Sequence, residues 1–117
     1  MAPDRIIQAD DLVFVIRDAY PVSTGHTLII PRRHIASLTE ATEEEQVAVL
    51  RAVASARAAL DTEHHPDGYN IGINDGEAAG QTVMHLHVHL IPRYRGDVAD
   101  PRGGIRHCIP GKGYYAP

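Results

Sequence analysis

The stretch Met84-His85-Leu86-His87-Val88-His89-Leu90-Ile91-Pro92 sets the strongest constraint on this chain. Three histidines alternate with aliphatic residues, and a proline closes the run. Period-two alternation is the mark of a half-buried β-strand. His85, His87 and His89 then share one face. Met84, Leu86, Val88 and Leu90 share the other and need a core behind them. A row of imidazoles admits three readings. Chance surface histidines are one, although a packed polar row brings no stability of its own. A metal site is another, since imidazole is the commonest metal ligand. On a flat strand the outer two α-carbons lie about 13 Å apart, so three rings closing on one ion require strong bending. Neighbours such as His85 and His87 can share one zinc ion. The third reading is catalytic: one neutral imidazole attacks while its neighbours donate to the oxygens of a tetrahedral or phosphoryl centre.

The chain has 117 residues, 44% of them hydrophobic, which suffices for one domain over residues 1–117 with a single core. Net charge is −4 with histidine neutral. No basic run exceeds Arg32-Arg33, so a nucleic-acid backbone binder is not expected. A small phosphorylated ligand needs only a few local donors and stays open. Cys108 is the only cysteine, which precludes an internal disulfide and fits a reducing cytoplasm. No apolar run resembles a secretory leader or a membrane span.

Leu12–Arg17 reads as a strand from its β-branched and aromatic content, with Ile6-Ile7-Gln8 as a short edge strand before it. A turn-rich link with Pro21 and Gly25 leads to a second strand, His26–Pro31, and the short connection favours an antiparallel hairpin. Thr42 and Glu45 fit a capping box. The helix they open runs to about Leu60, with Val47, Leu50, Val53, Ala54 and Leu60 as its expected apolar stripe. His64 and His65 are expected in a solvated loop. Tyr69–Asn74 forms a third strand, and Gly72 within it marks a place where something approaches the backbone closely. The core spans about residues 5–93. The glycine- and proline-rich tail from about 94 to 117 is expected to be irregular and draped over a surface. Strands, one good helix and hairpin-like links give an α+β fold with the helix on one face of the sheet.

The histidine run resembles the His-φ-His-φ-His-φ-φ signature of the histidine triad (HIT) nucleotide hydrolases and transferases. The likeness extends to Gly25–Pro31, to Asn74, and to Gly80-Gln81-Thr82-Val83. It implies an antiparallel sheet of about five strands with one main helix and a short second helix packed on it. It further implies that His87 is a nucleophile toward the α-phosphate of a purine nucleotide, and that His85 and His89 flank the phosphate. Asn74, Gln81 and Thr82 would bind the phosphate or the leaving group. Asp18 would bind the ribose, and Phe14, Ile16 and Leu28 would line the purine pocket. His26 would stand behind the triad. Diadenosine polyphosphates, nucleoside phosphoramidates and adenylates are the implied substrates. Phosphorolysis or transfer in place of hydrolysis remains open, as does a nucleotide-binding partner protein with little turnover. The resemblance also implies a homodimer. No cofactor is expected, and magnesium would enter only with a polyphosphate substrate. The structural zinc of some bacterial relatives uses cysteines that this chain lacks. His107 is expected at the surface.

Overall fold

A computed structural model describes residues 5–115. Five strands form one antiparallel sheet: β1 (Ile6–Ala9), β2 (Val13–Arg17), β3 (Thr27–Pro31), β4 (Gly68–Gly72) and β5 (Val88–Arg93), in the order β1-β2-β3-β5-β4. The one long helix, α1 (Glu43–His64), joins β3 to β4. The β2–β3 hairpin pairs Phe14 with Ile30 and Ile16 with Leu28; β3 then pairs Leu28 with His89. Directly paired residues share a sheet face. Phe14, Ile16, Leu28 and His89 therefore lie on one face, with Gly72 beside His89 from β4.

Val13, Val15, Ile29, Val88 and Leu90 occupy the opposite face and bury against Val49, Ala52, Val53, Ala56 and Leu60 of α1. The helix begins as its residues dictate. The Thr42 hydroxyl accepts from Glu45 N at 3.1 Å, and the Glu45 carboxylate accepts from Thr42 N at 2.9 Å. Arg33 also holds Glu45, at 2.8 Å, which lowers the Glu45 carboxyl to about 2. The helix runs past Leu60 to His64 and stops at His65, in the left-handed region at φ 53°. His64 is thus the last helical residue, and His65 is the exposed cap. The Arg17 guanidinium reaches Glu63 at 2.8 Å and the Thr27 hydroxyl, so it pins the end of α1 to the sheet.

Two features differ from the sequence reading. The buried stripe of α1 is rotated: Val47, Leu50 and Ala54 are exposed, whereas Val49, Ala52 and Ala56 are buried. An alanine-rich helix offers several apolar faces. Packing has taken the one whose small Ala52 and Ala56 let the helix lie close on the sheet, a choice that bulk alone does not reveal. The short second helix is replaced by single 3-10 turns at Leu38–Glu40, Glu77–Ala79 and Gly104–Cys108. Glycines at positive φ bound two of these turns, Gly76 and Gly80 around Glu77–Ala79 and Gly103 before Gly104–Cys108.

The tail is better organised than its composition suggests. Arg93 forks onto both carboxylate oxygens of Asp97 at 2.8 Å and donates to Asn70 Oδ1 at 2.6 Å. The Tyr94 hydroxyl donates to Thr24 O at 2.7 Å. These ties bring the Gly104–Cys108 turn against β4. His107 is exposed, as expected; its Nε2 donates to Arg102 O at 2.8 Å, and its ring meets the edge of Tyr114. Among the described residues no helix is long and apolar enough to cross a membrane.

Candidate active site

The three histidines do not sit on one regular strand. Only His89 lies within β5; Met84 to His87 approach it through a bend. Leu86 still inserts into the interior, fully buried with Ile35 and Ala41, and its N–H donates to Ile35 O at 2.7 Å. Met84 was expected on the core face but is 48% exposed, because the bend turns it out before the alternation begins. The same bend separates His85 from the other two. The His85 Nε2–H donates to Pro31 O at 2.7 Å, and its ring lies 4.9 Å from that of His34. His87 and His89 stay adjacent, with ring centroids 5.2 Å apart in an edge-on arrangement.

Backbone atoms set the proton positions on these rings. His87 Nδ1 faces His85 O at 2.8 Å. A carbonyl oxygen only accepts, so Nδ1 carries the hydrogen and the neutral ring keeps its lone pair on Nε2. Val22 N–H donates to His26 Nδ1 at 3.2 Å. The hydrogen of His26 is then on Nε2, which stands 2.9 Å from His89 Nδ1 and 3.4 Å from Asp18 Oδ2. His89 Nδ1 accepts, which places its own hydrogen on Nε2, away from His26. The site therefore pairs an unprotonated ring nitrogen on His87 with an N–H donor on His89. Burial lowers the pKa of both His26 and His89 below the ordinary histidine value of 6.5. The charge of Asp18 opposes this shift in both, and at His89 those of His87 and His26 add to it.

The side-chain donors of Asp18, His26 and His89 lie within 4.8 Å of one another, close enough to consider a metal ion. The donor set does not fit one. Ligation through His26 Nε2 requires its proton to move to Nδ1, where the Val22 N–H already points. The cluster is a hydrogen-bonded relay.

The remaining expected residues divide. Asp18 is placed by its own turn, Oδ1 accepting from Tyr20 N at 2.8 Å, with Oδ2 toward His26. Phe14 and Leu28 are half-buried on the histidine face. Ile16 lies on that face too, but at 2% exposure it is sealed between Ile6 and Leu28 in register and cannot touch a ligand. Thr82 and Asn74 are exposed in the loops beside the triad. Gln81 does not fit its expected role. It is 4% exposed; its amide donates to Ala36 O and Val83 O, and its carbonyl accepts from Gly76 N. A side chain so fully occupied inside the loop braces that loop and has no group left for phosphate. Two contributors went unread in the sequence. Val22 acts through a backbone N–H, which no side-chain motif reports. Arg32 places its guanidinium 5.9 Å from the Phe14 ring centroid. Counting by twos from Leu28 and Ile30 puts Arg32 on that face, so this signal was available.

Paired imidazoles with opposed proton positions, on a five-stranded antiparallel sheet backed by one helix, define a histidine-based site. The HIT domain family matches residues 1–96, and the chain belongs to the HIT family. The Bacillus subtilis "Protein hit" is 41% identical over 96 residues, covering 81% of this chain and 66% of its own length. The AP-4-A phosphorylase of Mycobacterium tuberculosis is 31% identical over 93 residues, covering 79% of this chain and 48% of its own. This chain thus spans about two thirds of the first relative and just under half of the second. A zinc-bound histidine triad family protein from Mycobacterium smegmatis superposes with a TM-score of 0.71 at 46% identity, covering 85% of this chain and 72% of that one.

Proposed function

We propose that the protein hydrolyses purine nucleotide derivatives at the α-phosphate through a nucleotidyl-His87 intermediate. The observation that carries this reading is the 2.8 Å contact of His87 Nδ1 with His85 O, which assigns the proton to Nδ1 and frees Nε2 for attack. In the first step a bond forms between His87 Nε2 and phosphorus. The bond from phosphorus to the leaving group breaks, and that group departs with the electron pair. The His89 Nε2–H donates to the oxygens as their charge grows, an effect that supplies much of phosphoryl-transfer catalysis. In the second step water attacks phosphorus and the pair returns to Nε2. One hydrogen of water ends on the departed group and the hydroxyl stays on the nucleotide, so water is the only co-reactant. Phe14, Leu28 and Arg32 bind the purine, Asp18 the ribose, and Thr82 and Asn74 the phosphate and its leaving group.

The reaction as proposed uses no metal ion of the protein's own. Magnesium enters only with a polyphosphate substrate. The kinship to an AP-4-A phosphorylase supports a second reading, in which inorganic phosphate replaces water in the second step. We also propose a homodimer. The exposed Val47, Leu50 and Ala54 form an apolar stripe on α1, and two-fold symmetry is the usual way to cover one.

The test is to quench a reaction with labelled nucleotide substrate in alkali and map the adduct by mass spectrometry. Label on His87 and release of nucleoside monophosphate support the reading. Label on His85 or His89 contradicts it. A diphosphate product appearing only with added phosphate identifies the phosphorylase.

A further inference from the structure

The ladder between β3 and β5 ends at the pair Thr27 and Leu90. Beyond it the chain turns away from the sheet at Gly25, which has φ 88°. One step further along β5, Arg93 O faces β4 and accepts from Asp67 N at 2.8 Å. Successive strand carbonyls point to opposite edges, so Pro92 O points toward β3, where the ladder has already stopped. Pro92 is fully buried, and a buried carbonyl without a partner is costly. Ser23 fills the gap from the β2–β3 link: its hydroxyl donates to Pro92 O at 2.7 Å. The next residue of the link is tied to the same place, since the Tyr94 hydroxyl donates to Thr24 O at 2.7 Å.

These two bonds fasten the β2–β3 link to the strand that carries His89, and they flank the backbone group on which His26 depends. Ser23 O accepts from His26 N at 3.2 Å, so Ser23 touches both the relay's backbone and β5. Val22, next to it, is 72% exposed, and water competes for its N–H. What keeps that N–H on His26 Nδ1, at 3.2 Å, is the position of the link. Without it the hydrogen of His26 is free to sit on Nδ1, and Nε2 becomes an acceptor. The bond between His26 Nε2 and His89 Nδ1 then takes its hydrogen from His89. A neutral ring has one N–H, so His89 Nε2 would hold a lone pair in place of its donor.

We propose that Ser23 is a positioning residue: by tying the β2–β3 link to Pro92 O it holds the Val22 N–H on His26 and so keeps the donor hydrogen on His89 Nε2. The effect on rate rests on the α-phosphate chemistry given above; the effect on the protons does not. The experiment compares wild type, Ser23→Ala and Ser23→Thr by two readouts. One is the ¹⁵N spectrum of the labelled histidine rings; the other is kcat and KM for release of AMP from adenosine 5′-phosphoramidate. In Ser23→Ala the His26 and His89 signals should move from the Nε2–H pattern toward a mixture of tautomers. His87 should stay in place, because its proton is set by His85 O. The kcat should fall by about three- to tenfold, the scale of one net hydrogen bond, with little change in KM. Ser23→Thr keeps a hydroxyl and should restore both readouts. A bond that served stability alone would lower the thermal midpoint and move no tautomer. Should Ser23→Ala fail to fold, Tyr94→Phe releases the neighbouring tie at Thr24 and is read in the same way. Unchanged His26 and His89 tautomers overturn the proposal whatever the rate does, and altered tautomers with wild-type kcat overturn the positioning role. Tautomers that move as expected in a protein that releases no AMP overturn the α-phosphate reading alone.

Discussion

The two faces of the sheet use the same strands for opposite purposes. On the helix side, Val13, Val15, Ile29, Val88 and Leu90 are selected for shape, and their contacts with α1 have no preferred direction. On the histidine side, every important contact has a direction: His85 O toward His87 Nδ1, Val22 N–H toward His26 Nδ1, His26 Nε2–H toward His89 Nδ1. Adjacent β5 residues serve the two tasks, Val88 and Leu90 the first, His89 the second. A change on the helix face should therefore appear in stability, and a change on the histidine face in rate.

The largest effect is expected from His87→Ala. Activity should fall by roughly 10⁴-fold or more, the scale seen when a catalytic nucleophile is lost. The thermal midpoint should move little, since His87 is only half-buried. Steady-state kinetics beside calorimetry checks both halves of this statement. The converse is Leu60→Ala. Leu60 is fully buried, and its truncation should cost about 2–5 kcal/mol by denaturant titration. The kcat of the fraction still folded should stay close to wild type. A variant that loses both quantities in proportion would break the division between faces.

The faces should also separate in acid. His26 and His89 have folded-state pKa values below 6.5, so protonating them costs more in the fold than in the unfolded chain. Their contribution is intact above about 6.5 and falls as the pH drops through the folded values. Glu45 has the opposite chemistry and a lower window. Its carboxyl is lowered from 4.5 to about 2, so its contribution is present above 4.5 and disappears toward 2. Stability measured against pH should decline first in the histidine window and again in the carboxylate window, with activity following only the first. Arg33→Ala should raise the second window and leave the first in place. The smallest effect is expected from chelation. Dialysis against a strong chelator should leave turnover of a phosphoramidate unchanged, and loss of activity restored by zinc alone would contradict the relay reading of Asp18, His26 and His89.

Much of this could be read before the structure, for reasons that also mark the limits. Alternation in the histidine run gave the right faces for Leu86, Val88 and Leu90, because burial follows the pleat. The Thr42–Glu45 box was legible because capping is local in sequence. The rotation of α1 was not, because choosing between Leu50 and Ala52 depends on the shape of a sheet distant in sequence. Gln81 looked like a ligand by its place before the triad, yet its partners Ala36 and Gly76 come from segments that only folding brings together. The bend that turns His85 toward Pro31 was hidden for the same reason. The tail was not legible, and Gly72 did not signal it: Ile105 Cδ1 lies 4.0 Å from where a Cβ would stand there, an ordinary contact distance that does not require glycine.

The claim on which all of this turns is that backbone contacts fix the protons of His87 and His26, and that His26 in turn fixes that of His89. Long-range ¹H–¹⁵N correlation spectra of ¹⁵N-histidine-labelled protein, recorded above pH 7.5, report it directly. His87 should be the Nδ1–H tautomer, and His26 and His89 the Nε2–H tautomer. An Nε2–H tautomer at His87 would leave no lone pair facing the substrate and would contradict the account.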